Sequence, residues 1–249
     1  MNRLISFIKD ASVLVVCAIG ICSASTPTAE TSVWWTPDIG LTSLTDLDSA
    51  LSRPVLVNGK PVSAVLVNDS QQKTVTTCRE FLDAINQNMY SPDERGLDFP
   101  FINRCYALSY LRSAQNSKQS FIESSWADDA LNRLPPFLVF VEASLAQKAD
   151  EARNRGESWG RFDPTMKIVD RSARVIVFQN DTDRWYLGVV AQGDFNHDGF
   201  ADQVVIACDN KLRPGGGFCF PIVLTAYNPN QVMRLISSPS MPYKFSPGS

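Results

Sequence analysis

Apolar and polar positions along this chain follow two rhythms, and the change between them falls near Gly156. Before it, the pattern mixes short extended runs with helical spacing. Val33-Trp34-Trp35 ahead of Pro37 reads as an extended, anchored segment. Val55–Val57 and Val62–Val67 flank Asn58-Gly59, a favoured tight-turn pair, and so predict a hairpin; Pro61 places its second strand at an edge. Thr77 with Glu80 three residues on is a capping box, and Phe81, Leu82 and Ile85 give the following helix an apolar face. Ile102, Cys105, Leu108 and Leu111 recur every three residues and predict a second helix. A shorter helix is expected between Trp126 and Leu134, before Pro135-Pro136, and a charged surface helix over Glu142–Gly156.

After Gly156 compact apolar and period-two runs dominate: ARVIVF, RWYLGVVA, DQVVIA, FPIVLTAY and QVMRLI. Turn-forming stretches separate them, which predicts five short strands in an antiparallel meander. The fold class expected is therefore α+β. A mixed, partly helical region over residues 25–156 precedes a β-rich region over 157–240, and the proline-rich residues 241–249 form a flexible tail.

The N-terminus changes the picture of where the protein works. Arg3 and Lys9 precede an apolar run from Ala11 to Cys22, followed by Ser23-Ala24. A core of about a dozen apolar residues is short for a membrane span, which needs roughly 20, and suits an export signal. Cleavage after Ala24 is expected, with residues 1–24 as the signal peptide and a periplasmic or secreted product. Lipid anchoring through Cys17 or Cys22 is disfavoured, because each follows a β-branched residue where lipidation signals want a small one. Beyond the signal remain Cys78, Cys105, Cys208 and Cys219. An even number in an exported chain implies disulfides. Three pairings are open, and the spacing favours Cys78–Cys105 and Cys208–Cys219.

Composition excludes more than it assigns. A net charge of -3 and the lack of any basic stripe interleaved with aromatics argue against nucleic-acid binding. The chain has one histidine, His197, so every Ser-His or Cys-His scheme would have to use it, and three-histidine zinc sites are impossible. No GxSxG elbow, P-loop or GxGxxG fingerprint occurs. Asp93-Glu94 and Asp128-Asp129 are the acids from which a two-carboxylate hydrolase could be assembled.

His197 lies in the most distinctive stretch, Asp194-Phe195-Asn196-His197-Asp198-Gly199-Phe200-Ala201-Asp202. Oxygen-bearing side chains stand at loop positions 1, 3, 5 and 9, with glycine at 6. This resembles the DxNxDGxxD calcium loop of EF-hand and dockerin proteins, and of VCBS/FG-GAP-type proteins, where the loop lies between strands. The resemblance covers about a dozen residues. It implies a calcium ion held by Asp194, Asn196, Asp198 and Asp202 with the Phe200 carbonyl. His197 stands at an outward-pointing position of that loop. The chemistry is sound, since calcium takes six to eight oxygen ligands, which a curled loop can turn inward. Val205 stands where a full EF-hand has its bidentate glutamate, so the strand-flanked variant fits better. A metal-free aspartate turn, held by side-chain-to-backbone hydrogen bonds, is the alternative.

Beyond the loop, the chain resembles periplasmic lysozyme-inhibitor-like immunity proteins. That resemblance implies a protein partner, a peptidoglycan-degrading enzyme, and the missing catalytic motifs lead to the expectation of no turnover by the chain itself. The expected contact elements are the Asp194–Asp202 and Asn210–Gly217 loops, with Trp185 or Phe218 as an aromatic anchor. A glycan- or surface-binding accessory protein and a carboxylate-based hydrolase are the competing readings.

Overall fold

The computed structural model describes residues 31–92, 98–122, 126, 128–137, 143–211 and 218–237. The signal segment with Cys17 and Cys22, the acids Asp93-Glu94, loop residues 212–217 and the 241–249 tail lie outside the described residues. In chain order the strands are β1 (Trp34–Trp35), β2 (Leu56–Val57), β3 (Lys60–Pro61), β4 (Ala64–Val67), β5 (Gln72–Val75), β6 (Lys167–Arg171), β7 (Val175–Gln179), β8 (Asp183–Gly193), β9 (Asp202–Lys211), β10 (Phe218–Thr225) and β11 (Arg234–Ser237). The helices are α1 (Leu47–Ser52), α2 (Cys78–Ile85), α3 (Phe99–Leu111), α4 (Ala130–Arg133), α5 (Ala143–Asn154) and α6 (Trp159–Phe162). The fold is α+β, with a mostly β C-terminal region.

The hairpin at Asn58-Gly59 forms, with φ of 51° and 75° at the two turn residues, a left-handed pair that glycine adopts without penalty. Its second strand is shorter than the sequence predicts. Lys60–Pro61 closes on Leu56–Val57, while Ala64–Val67 turns away and pairs with Gln72–Val75. Pro61 has no N–H to extend the ladder, and Asn68 caps a new turn by accepting from the Ser70 and Gln71 amides at 3.0 Å each.

Helix α2 starts as expected. The Thr77 hydroxyl accepts from Glu80 N at 3.2 Å, and Glu80 accepts from Thr77 N at 3.1 Å. Helix α3 begins three residues before the periodic run, at Phe99, because Pro100 suits a first turn and Phe99 and Phe101 are both buried. Both expected disulfides are present. Cys78–Cys105 therefore joins the start of α2 to the middle of α3.

The main sheet runs β11-β10-β9-β8-β7-β6, all antiparallel, and β1 pairs with the far end of β8. Strand β8 is long enough to serve two partners. Its first half pairs with β7, and its last residues pair with Trp34 and Trp35 beyond an irregularity near Val190. Successive residues of a strand point to opposite faces, and β9 is buried on both. Val204, with Ala191 and Val223, joins α1–α3 in one core; Val205, with Leu187 and Ile222, joins Ile122, Trp126, Leu131, Leu134, Phe137 and Trp159 in the other. Both cores draw on residues either side of Gly156, so the helical region and the sheet are packed as one body.

Cys208 and Cys219 are direct register partners across β9 and β10. Their bond closes a sequence separation of 11 residues. Converting both to alanine should lower unfolding free energy by about 2.5 kcal/mol, mainly by freeing the unfolded chain. Denaturant unfolding checks this; unchanged stability would mean the strand ladder alone holds that end of the sheet.

Candidate functional site

The acidic loop is the connection between β8 and β9, with Gly193 and Asp202 as register partners at its base. Two left-handed residues make the curl possible, His197 at φ 64° and Gly199 at φ 89°. At Gly199 conformation is the constraint, since a Cβ there would meet nothing closer than Lys118 Cδ at 3.7 Å.

The loop is docked on the segment after α3. Asp194 and Gln115 exchange backbone hydrogen bonds at 2.8 and 3.0 Å. The Gly199 carbonyl accepts from the amides of Lys118 and Gln119, and Ala201 N donates to the Gln119 carbonyl at 2.8 Å. His197 Nε2 lies 2.6 Å from the Ser113 carbonyl, which can only accept, so the ring nitrogen carries the proton. The ring is thus engaged with the segment after α3.

Inside the curl, side-chain oxygens face backbone amides. Asp194 accepts from Asp198 N at 3.1 Å and Gly199 N at 2.8 Å. Asn196 accepts from Asp198 N at 3.1 Å, and Asp198 Oδ1 accepts from Phe200 N at 2.8 Å. Asp198 Oδ2 takes hydrogen bonds from Asn196 Nδ2 at 2.9 Å and from the Tyr227 hydroxyl at 2.7 Å. Asn196, His197 and Asp198 are exposed, Phe200 is half-buried, and Asp194 and Asp202 are buried.

Asp202 is the anomaly. It is 0% exposed; Oδ2 accepts from Phe195 N at 2.8 Å, but Oδ1 has no hydrogen-bond partner. Thr225, directly across the strand pair, relieves it only in part, because its hydroxyl is directed to the Ala201 carbonyl at 3.5 Å. Burial pushes the Asp202 carboxyl up to about 6, and the charges of Asp198 and Asp194 add to that rise. Burial, followed by the bond to Asp198, pushes the Tyr227 phenol up to about 12.

These contacts bring Asp194, Asn196, Asp198, Phe200 and Asp202 into one loop, with Asp198 turned toward Tyr227. Among the described residues, no three or more histidine, cysteine, aspartate or glutamate side chains are gathered in the arrangement of a metal site. The oxygen donors suit a hard cation in kind, and Asp202 Oδ1 is a buried acceptor without a hydrogen-bond partner. Sharing a single ion requires Asp198 and Asn196 to turn.

The anchor role expected of Trp185 is corrected. Trp185 is 1% exposed and packs edge-on to Phe137 and Trp159 at 5.7 and 5.2 Å. The strand's alternation sets this, since Trp185, Leu187 and Val189 share the inward face and Tyr186, 36% exposed, points out. Phe218 lies at the start of β10, and its side chain is outside the described residues.

A second concave feature escaped the sequence reading. A groove of about 680 Å³ runs beside β6 and brings Asp170 together with Asp128 and Asp129. Asp128 is ion-paired with Arg171. Asp170 belongs to a strand too charged to announce itself by apolar alternation, so only the fold reveals its neighbours.

Compared with models of protein families, with characterised proteins and with solved structures, the chain finds no match.

Proposed function

We propose that this chain is an extracytoplasmic protein that holds one calcium ion in the Asp194–Asp202 loop and acts by binding a partner macromolecule. Asp194, Asn196, Asp198, Asp202 and the Phe200 carbonyl are the ligands. The observation that carries the reading is the buried, unpartnered Oδ1 of Asp202, placed at loop position 9 with two more carboxylates at positions 1 and 5. The ion would supply the positive charge that offsets three carboxylates crowded into one turn. Two disulfides and the signal-like N-terminus support a location outside the cytoplasm. Among the described residues, no helix is long and apolar enough to cross a membrane.

The partner class follows from what the loop offers. Its exposed tip, Asn196 to Asp198, is clamped from behind by Ser113, Gln115, Lys118 and Gln119. A surface so restrained loses little conformational entropy on docking, which favours tight inhibition. The chain's one histidine donates through Nε2 to the Ser113 carbonyl, a contact that fixes the ring against the segment after α3. The specific reading is an inhibitor or immunity protein that occludes a peptidoglycan-degrading enzyme.

Calorimetry on the chelated full chain should register uptake of one calcium ion, and magnesium should substitute poorly because it demands a smaller, stricter cage. A pull-down from envelope extracts, with and without chelator, should recover a peptidoglycan-cleaving enzyme whose activity falls as the protein is added. No heat at millimolar calcium would leave the aspartate-turn reading. A second reading, a carboxylate-based hydrolase, rests on the groove with Asp128, Asp129 and Asp170. Peptidoglycan cleavage by the purified chain, abolished by Asp129→Asn without unfolding, would replace the inhibitor reading with it.

A further inference from the structure

Tyr227 lies just beyond β10, where the chain turns toward β11, far from the acidic loop in sequence. Its hydroxyl nevertheless reaches Asp198 Oδ2 at 2.7 Å. That oxygen also accepts from Asn196 Nδ2 at 2.9 Å, so both its lone-pair positions are taken, and Oδ1 is held by Phe200 N at 2.8 Å. The Tyr227 ring stands edge-on to Phe200 at 5.1 Å, and Phe200 in turn stacks on Phe121 at 6.0 Å. Over Tyr227 lies the Arg234 guanidinium, 5.2 Å from the ring centre. One hydroxyl thus joins the middle of the acidic loop to strand β11 and to a half-exposed aromatic patch.

We infer that Tyr227 is a latch on the acidic loop, a positioning residue that holds Asp198 and Asn196 turned toward each other and must let go when the loop takes a calcium ion. This rests on the calcium reading above and adds a residue to it. The physical conflict is local. A cation at the loop draws Asn196 by its carbonyl oxygen, yet Asn196 presents its NH2 group to Asp198. The same cation needs a free lone pair on Asp198, yet three of the four positions on that carboxylate are occupied by donors. Tyr227 and Asn196 supply two of those three, and the Tyr227 bond is the shorter. Releasing it detaches the phenol from the carboxylate while the ring keeps its contacts with Phe200 and Arg234. Ion uptake is thereby transmitted to the Phe121–Phe200–Tyr227–Arg234 patch.

The sign of the consequence separates a latch from a scaffold. Tyr227→Phe removes the hydroxyl and keeps the ring, so a latch predicts calcium binding about fivefold tighter in the variant, the size expected for losing one competing charge-assisted bond. A residue that merely supports the loop predicts weaker binding. The experiment is calorimetric titration of calcium into the chelated full chain, wild type against Tyr227→Phe. It is paired with NMR of wild-type protein carrying labelled tyrosine rings, in which one ring signal should shift on calcium addition as the phenol loses its carboxylate acceptor. The NMR measurement decides alone if the variant does not fold. Calcium uptake with equal or weaker affinity in Tyr227→Phe, or with no tyrosine signal moved, overturns the latch and leaves the calcium reading intact. Absence of uptake by the wild type overturns both.

Discussion

Trp159→Ala should lower the stability of the protein by about 3–5 kcal/mol, a loss of roughly 10 °C or more in melting temperature. Trp159 is 1% exposed and touches three other rings edge-on, Phe137 at 4.6 Å, Phe178 at 5.1 Å and Trp185 at 5.2 Å. Its indole Nε1 has no hydrogen-bond partner, so the loss is one of packing and cavity formation alone. α6 cannot close the gap by itself, being four residues long and held at its start by the Ser158 hydroxyl. Trp185→Ala should behave similarly, whereas Tyr186→Ala, on the outward face of the same strand, should fall within about 1 kcal/mol of wild type. Thermal unfolding of the three variants checks the assignment. A Trp185→Ala protein of normal stability that failed to bind its partner would restore Trp185 as an anchor.

Asp202→Asn should reverse its effect on stability according to whether calcium is present. In chelated protein the carboxyl of Asp202 titrates near 6, against about 3.9 in an unfolded chain. The folded state therefore holds the proton more tightly than the unfolded one. The contribution is fully present below about pH 4 and is lost as pH rises through 6, about 3 kcal/mol in all. Subtracting the pH profile of Asp202→Asn from that of the wild type isolates this group, since all other groups titrate in both. The variant should gain on the wild type between pH 4 and 7. With calcium the order inverts at pH 7 once the ion is about a thousandfold above its dissociation constant, where the wild type gains about 4.1 kcal/mol and the variant much less. A difference profile that is flat in chelator would mean that Asp202 is relieved by a partner other than Phe195 N and Thr225.

Much of the local structure was legible because it is specified by neighbours in the chain. Thr77 and Glu80 contain their own capping geometry, and Asn58-Gly59 its turn. The five apolar runs after Gly156 appear as β7 to β11, in meander order. What was illegible depends on distant residues or on elements too short to show a period. β6 is charged at three of its five positions, Lys167, Asp170 and Arg171, and only Ile168 is even half-buried, so it has no alternation to read. α6 spans a single turn. Trp185 was legible in principle, since it shares parity with Leu187 and Val189; its size drew attention that its register did not support. For the acidic loop, spacing identifies the participants but not their partners. That Gly199 is held by Lys118 and Gln119, or Asp198 by Tyr227, follows only from the chain's return to the same place.

The pairing of β1 with the end of β8 bears on how the chain is made. Trp34 and Trp35 emerge early, but the residues they pair with, Gln192 and Ala191, come late in synthesis. Neither core can close before then, because each needs strands from β8 to β10. The β1 pairing and both cores can consequently be completed only after β8 to β10 have been synthesised, so the earliest strand waits for the latest part of the sheet.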